Sequence, residues 1–420
     1  MNMNPLTTNP ANPPKASLGL GALPVVMMVL GAILAALGAL KSFNQDGGVE
    51  FGISWLLAFM FFLSISLGTL FLVLIHHLTD AGWSVGIRRF NEHIAALLFP
   101  QLAILFLPIA LLAPKIYSWM TIDPATDNTV AAKLPVFTKP GFWIASAILF
   151  GVWWLLTSQL KRWSLKQDET GAAECTHKMR FYSGWGIVAF ALTLTFAGIL
   201  WMKSLQHEWY SAMYGVYFFA SSAWVALATV YILTVWLKRR RVLAGVFPDS
   251  SFYFIGVLFF AFTVFQAYTE FAQYFVVWNA NMPSETFWYL IRENGSWWWV
   301  SMILIFGHFM IPFFILLPVA VKSNAKVVIP VCLWAWAMHA LDLAFNILPA
   351  HHPEGFPLRW VWLQLGCFLF MGGFLTWSLA KNFARHAPYP QKDPRLLEAM
   401  GVNLNVANDL AGSNPAEASR

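Results

Sequence analysis

"FGISWLLAFMFFLSISLGTLFLVLI", Phe51 to Ile75, contains no charged residue, and its polar members are only Ser, Thr and Gly. At 1.5 Å per helical residue, about 20 apolar residues cross the roughly 30 Å of bilayer hydrocarbon. This stretch is long enough to do so. It lacks the apolar–polar alternation of a barrel strand, and a chain inside hydrocarbon must satisfy every backbone N–H and C=O internally, so it reads as a transmembrane helix.

Nine more apolar runs fall between clusters of charge. The ten expected spans are approximately 18–40, 51–75, 94–117, 141–160, 181–202, 211–237, 253–278, 296–321, 326–348 and 359–380. Composition agrees: 58% of the residues are hydrophobic and only 11% charged, which excludes an ordinary soluble domain. The fold class expected is therefore an all-α polytopic membrane protein. Residues 1–17, rich in Asn and Pro, read as a disordered N-terminal arm and not a cleaved signal; residues 388–420 read as a polar, disordered tail.

Most of the 26 Lys and Arg lie on one side of these spans, including Arg88, Arg89, Lys161, Arg162 and the run Lys238 to Arg241. That bias predicts cytoplasmic termini and explains the formal charge of +6 as a topogenic signal facing anionic lipid, with no nucleic-acid partner. The three cysteines form no C-x-x-C or haem-attachment pattern, with Cys175 expected in a loop, and Gly-rich phosphate loops and H-E-x-x-H are absent. No catalytic residue, metal site or redox group is expected in this chain alone. Tryptophan runs such as "WWWV", Trp297 to Val300, mark a membrane interface.

Two pairs of segments suggest an internal repeat. "FFLSIS" at Phe61 matches "FFASSA" at Phe218, and "WIASAILFG" at Trp143 matches "WVSMILIFG" at Trp299, with offsets that differ by one residue. Duplication of a four-helix unit follows, as 51–210 and 211–350, with 18–50 and 351–387 carrying the flanking first and tenth helices. An even number of helices per unit makes the copies parallel, unlike the inverted repeats of many transporters.

Ionisable side chains in hydrocarbon are costly and usually serve a pathway. His339, Asp342 and Asn346 share one face of the ninth run, as Gln266, Glu270 and Gln273 do in the seventh. Glu270 and Asp342 fall at one depth, about two-thirds of the way across, and His308 and His339 near the midplane. His76, His77, Asp80 and His93 gather at the expected cytoplasmic end. Three readings of the midplane pair stay open: a proton route, a quinone site on His308 and His339, or interhelical hydrogen bonding. Bis-histidine haem ligation by the same pair is a weaker fourth. For His76, His77 and Asp80 the alternative is an interfacial position among headgroups.

"HLTDAGWSVGIRR" from His77, "HEWYSAMYGVYFFASS" from His207, "FAFTVFQAYTEFAQYFVVWNANMPSETFWYL" from Phe260, "GSWWWVSMILIFGHFMIPF" from Gly295 and "MHALDLAFN" from Met338 together carry a resemblance. The chain resembles the polysulfide-reductase/NrfD-type membrane proteins, most closely the non-quinol-binding one of the two such proteins in alternative complex III, a quinol:cytochrome c oxidoreductase. The likeness spans the second to ninth runs and departs from the usual pattern where Glu270 precedes "FAQY". It implies two four-helix bundles in a bacterial inner-membrane assembly. It further implies partner subunits that hold haem c and iron–sulfur clusters, a sister membrane subunit that binds quinol, and a proton-conducting role for the chain itself. A stand-alone ion or solute transporter is the alternative from another class.

Overall fold

The structure, a computed structural model, describes residues 16–243 and 245–401. Most of the expected N-terminal arm and the last part of the tail lie outside them. Among the described residues there are ten helices long and apolar enough to cross a membrane, and no strand. They are α1 (Leu23–Asp46), α2 (Val49–Thr79), α3 (Gly82–Ile116), α4 (Lys139–Thr170), α5 (Ala173–Gln206), α6 (Tyr214–Arg239), α7 (Ser251–Ala280), α8 (Gly295–Leu316), α9 (Ala325–Ala350) and α10 (Leu358–Arg385). The chain is an all-α, multi-pass membrane protein.

Helix ends differ from the expected spans for local reasons. The α1–α2 connection shrinks to Gly47 and Gly48, whose φ of 71° and 100° suit glycine. Asp46 then accepts from the amides of Gly48 and Val49, both at 2.9 Å, and ties the start of α2. Likewise "HLTDAGWSVGIRR" is mostly helical: only Asp80, at φ 56°, and Ala81 break the path from α2 into α3. α4 and α5 run on beyond their apolar cores, so Cys175, expected in a loop, is buried in the first turn of α5. A short helix, Pro283–Arg292, fills the α7–α8 connection, which the apolar runs leave as a loop.

α2 and α6 are the most enclosed helices and pack on each other at the centre. Their approach needs Gly68, where a Cβ would sit 2.1 Å from the Ser222 carbonyl oxygen and 2.5 Å from the Ala226 methyl. α3, α5, α9 and α10 surround α2, while α5, α7 and α9 surround α6. α10 packs on α2 alone of the two. Ser64 and Ser221, equivalent in the repeat, donate to Phe61 and Phe218 carbonyls respectively. α1 stands against α10 at the edge, its outward Val, Leu and Ile side chains exposed as a lipid-facing helix requires. In the "WWWV" run, Trp298 and Trp299 face outward, but Trp297 is buried and donates to the His352 carbonyl at 2.7 Å.

The tail departs from expectation. Its residues up to Gly401 dock on the basic end of the bundle, where Asp393 pairs with Arg88 and Arg395 with Asp80 at 2.5 Å. Low hydrophobicity does not leave this segment free, because its charges meet complementary charges in and beside the α2–α3 turn.

Candidate functional site

The polar side chains gather at two levels. The first lies about midway along the spanning helices, where α2, α6 and α9 meet. His339 Nε2 is 2.8 Å from Ser64 Oγ, and Ser64 gives its own hydrogen to the Phe61 carbonyl at 2.7 Å. Ser64 therefore accepts, His339 carries its proton on Nε2, and Nδ1 is a bare acceptor. That Nδ1 is buried without a partner.

One turn along α9, the Tyr217 hydroxyl donates to Asp342 Oδ1 at 2.5 Å. Asn346 Nδ2 donates to the Tyr217 oxygen at 2.7 Å and to the Asp342 carbonyl at 2.9 Å, while Tyr214 donates to Asn346 Oδ1 at 3.2 Å. Asp342 Oδ2 has no partner. Two tyrosines from α6 thus hold one oxygen of the carboxyl and the amide beside it, and the second oxygen is left to take up or release a proton.

His308 sits in a π-helical turn of α8, Leu304–Met310, with its ring 4.2 Å from that of Trp224. Such turns widen the helix and free a carbonyl. Here Trp334 satisfies the Gly307 carbonyl at 2.7 Å, and His308 Nε2 is unpartnered. No hydrogen bond joins His308 to His339 among the described residues, and His339 Nε2 is already taken by Ser64. Glu270, half-buried, accepts from Gln266 at 3.1 Å. Gln273 belongs to another group, bound by Ser211 at 2.8 Å and donating to Tyr289 at 3.2 Å.

At the end of this cluster away from the basic face lies Arg292, a functional candidate absent from the sequence-derived set. Fully buried and without a carboxylate, it donates to the carbonyls of Phe345 at 2.9 Å, Asn346 at 3.1 Å and Trp288 at 2.8 Å. Its guanidinium lies 3.4 Å above the Trp288 ring. Burial pushes its pKa down to about 9.

The second level is the basic end. His76 and His77, for which the sequence also allows a place among headgroups, are buried, and so is His93. His76 Nδ1 lies 2.6 Å from Ser84 Oγ, whose hydrogen goes to the Ala81 carbonyl at 3.1 Å, so the imidazole proton is on Nδ1. His77 Nε2 and both nitrogens of His93 have no partner; His93 stacks near His386 at 5.3 Å. Around them runs a charge network whose arginines Arg88 and Arg89 the sequence marks only as topogenic. Arg88 meets Glu92 at 3.2 Å and Asp393, and Arg89 meets Asp168 at 2.5 Å and Glu92 at 3.6 Å. Asp80 is partly exposed between Arg180 and Arg395.

At the opposite end Asp127, His207 and Glu208 bring three ligand-type atoms within 4.8 Å of one another, although no metal site is expected from the sequence. His207 Nε2 already engages Asp127 at 2.9 Å, and Lys133 donates to the His207 carbonyl, so the group is a hydrogen-bonded histidine–aspartate pair with a lysine beside it. Hydrogen bonds from Thr129, then His207, hold the Asp127 carboxyl below the usual range.

No protein-family model matches the chain, and no curated protein matches it.

Proposed function

We propose that the chain is an integral membrane component of a bacterial quinol:cytochrome c oxidoreductase of the alternative complex III kind, and that its midplane cluster moves protons while partner subunits move electrons. The observation that carries this reading is a set of three deeply buried titratable side chains, each with one unpartnered atom: His308 Nε2, His339 Nδ1 and Asp342 Oδ2. Buried polar groups are usually paired, and an unpartnered atom on a titratable group is one that can take or give a proton. Tyr217 and Asp342 are joined by a short hydrogen bond across which a proton can pass, and Asn346 and Tyr214 hold that pair in place. His76, His77 and His93 lie on the basic side as the entry, which the concentration of Lys and Arg assigns to the cytoplasm along with both termini.

The assignment to this complex rests on the sequence resemblance. In it, haem c and iron–sulfur clusters belong to partner subunits, and quinol is oxidised in a sister membrane subunit. Purification through a tag on this chain tests it. The isolated membrane complex should show a haem-c spectrum and oxidise quinol with cytochrome c as acceptor. Isolation as a lone, haem-free protein would contradict the proposal and favour a transporter.

A further inference from the structure

A cavity of about 220 Å³ opens between α2, α3, α6 and α7 at the basic end, away from the midplane cluster. Its walls are mainly aliphatic, including Ile75, Leu227, Val230 and Leu258, and its polar floor is made by His76, Ser84, Arg88 and Asn91. The volume suits one ring or a glycerol unit, and the walls disfavour a water-filled inlet.

The floor specifies the chemistry of an occupant. The Arg88 donors are turned to protein groups: Nε lies 3.2 Å from Glu92 as an ion pair without an aligned hydrogen bond, Nη1 faces Asp393 and His76, and Nη2 bonds Gln167 at 3.0 Å and Ser164 at 3.4 Å. With Arg88 and Arg89 set against Glu92, Asp168 and Asp393, a phosphate would meet no surplus positive charge from this network. His76 Nδ1 is committed to Ser84, and its Nε2 receives only a long contact of 3.5 Å from Arg88. Asn91 is 3% exposed, and its Oδ1 is buried without a hydrogen-bond partner. The two acceptors left wanting a hydrogen are thus Asn91 Oδ1 and His76 Nε2. An unpaired buried acceptor is unfavourable, and a bound donor recovers that loss.

We propose that this cavity binds a neutral amphiphile whose head group presents a hydroxyl to Asn91 Oδ1 while its hydrocarbon lies along the aliphatic walls towards the lipid. Two membrane sources share this chemistry, a hydroquinone and an acylglycerol. The site shares His76 with the proposed proton entry but needs no contribution from His308, His339 or Asp342, so its test is separate from that of the midplane relay.

The test is binding of four probes to the purified full-length protein by native mass spectrometry: decyl-hydroquinone, its dimethyl ether, monodecanoylglycerol and dioleoyl phosphatidylglycerol. At least one hydroxyl probe should bind, the tighter of the two identifying the source. The ether should bind about tenfold more weakly than the hydroquinone if the latter is the occupant. Asn91→Leu should weaken the hydroxyl probe by about the same factor and leave the ether unchanged. Leu258→Trp, which fills the cavity from its rim, should weaken every hydroxyl probe and keeps the test decisive if Asn91→Leu does not fold. Equal binding of hydroquinone and ether with no acylglycerol binding, preference for phosphatidylglycerol, or binding that survives Leu258→Trp would each overturn the proposal.

Discussion

The two buried polar regions solve opposite problems. At the basic end, Arg88, Arg89, Glu92, Asp168 and Asp393 neutralise one another and lock α3, α4 and the tail together. In the midplane no cation meets Asp342, and tyrosine and asparagine hydrogen bonds do the holding. Paired charges resist change of protonation, because losing one partner leaves the other stranded. Hydrogen-bonded neutral groups with a free lone pair can change protonation with little rearrangement. The first region is built as a clamp and the second as a relay.

That division can be broken by comparing stability with turnover in each region. The largest expected loss of stability is in the clamp: Arg89→Ala strands Asp168, leaves Glu92 with Arg88 alone and should destabilise the protein by about 3–5 kcal/mol, read by unfolding in mixed micelles. In the relay, Ser64→Ala leaves the His339 N–H without an acceptor and should cost about 1–3 kcal/mol on the same measurement. Tyr217→Phe removes the hydrogen bonds to Asp342 and from Asn346 and should cost about 1–3 kcal/mol, yet slow proton-coupled turnover by about a hundredfold. Were Tyr217→Phe to destabilise as much as Arg89→Ala while sparing turnover, the midplane cluster would be a clamp as well.

The smallest effect is a pH dependence in the outer Asp127 pair, which serves as a control remote from both regions. Its folded carboxyl lies below its unfolded value, so the stability it contributes is full above about pH 4 and is lost as pH falls further. The protection factors of amides in the loop that carries Asp127, observed exchange rates taken relative to the intrinsic rate at each pH, should therefore fall as pH drops below about 4. Asp127→Asn should abolish most of that change.

Much of the architecture is legible in the sequence because it depends on span length and charge placement. The ten spans follow from hydrocarbon thickness, and the shared face of His339, Asp342 and Asn346 follows from helical spacing. Tyr214, Tyr217 and Ser64 cannot be matched to that face from sequence, since contacts between helices are not encoded in spacing along one of them. Arg88 and Arg89 look only topogenic because their burial depends on a two-residue turn and on acids supplied by α4 and the tail. The tail itself is opaque for the same reason: Asp393 and Arg395 look free until their partners are known. Arg292 leaves a fainter signal, a lone arginine ending "FWYLIR", where aromatic neighbours can carry a buried guanidinium.

The most direct test of the relay is proton movement in proteoliposomes containing the purified complex with Asp342→Asn. Asparagine keeps the shape and can still accept from Tyr217 but cannot exchange the proton. The account predicts an assembled complex that retains its haem-c spectrum and moves far fewer protons for each quinol oxidised; an unchanged proton yield at normal turnover would contradict it.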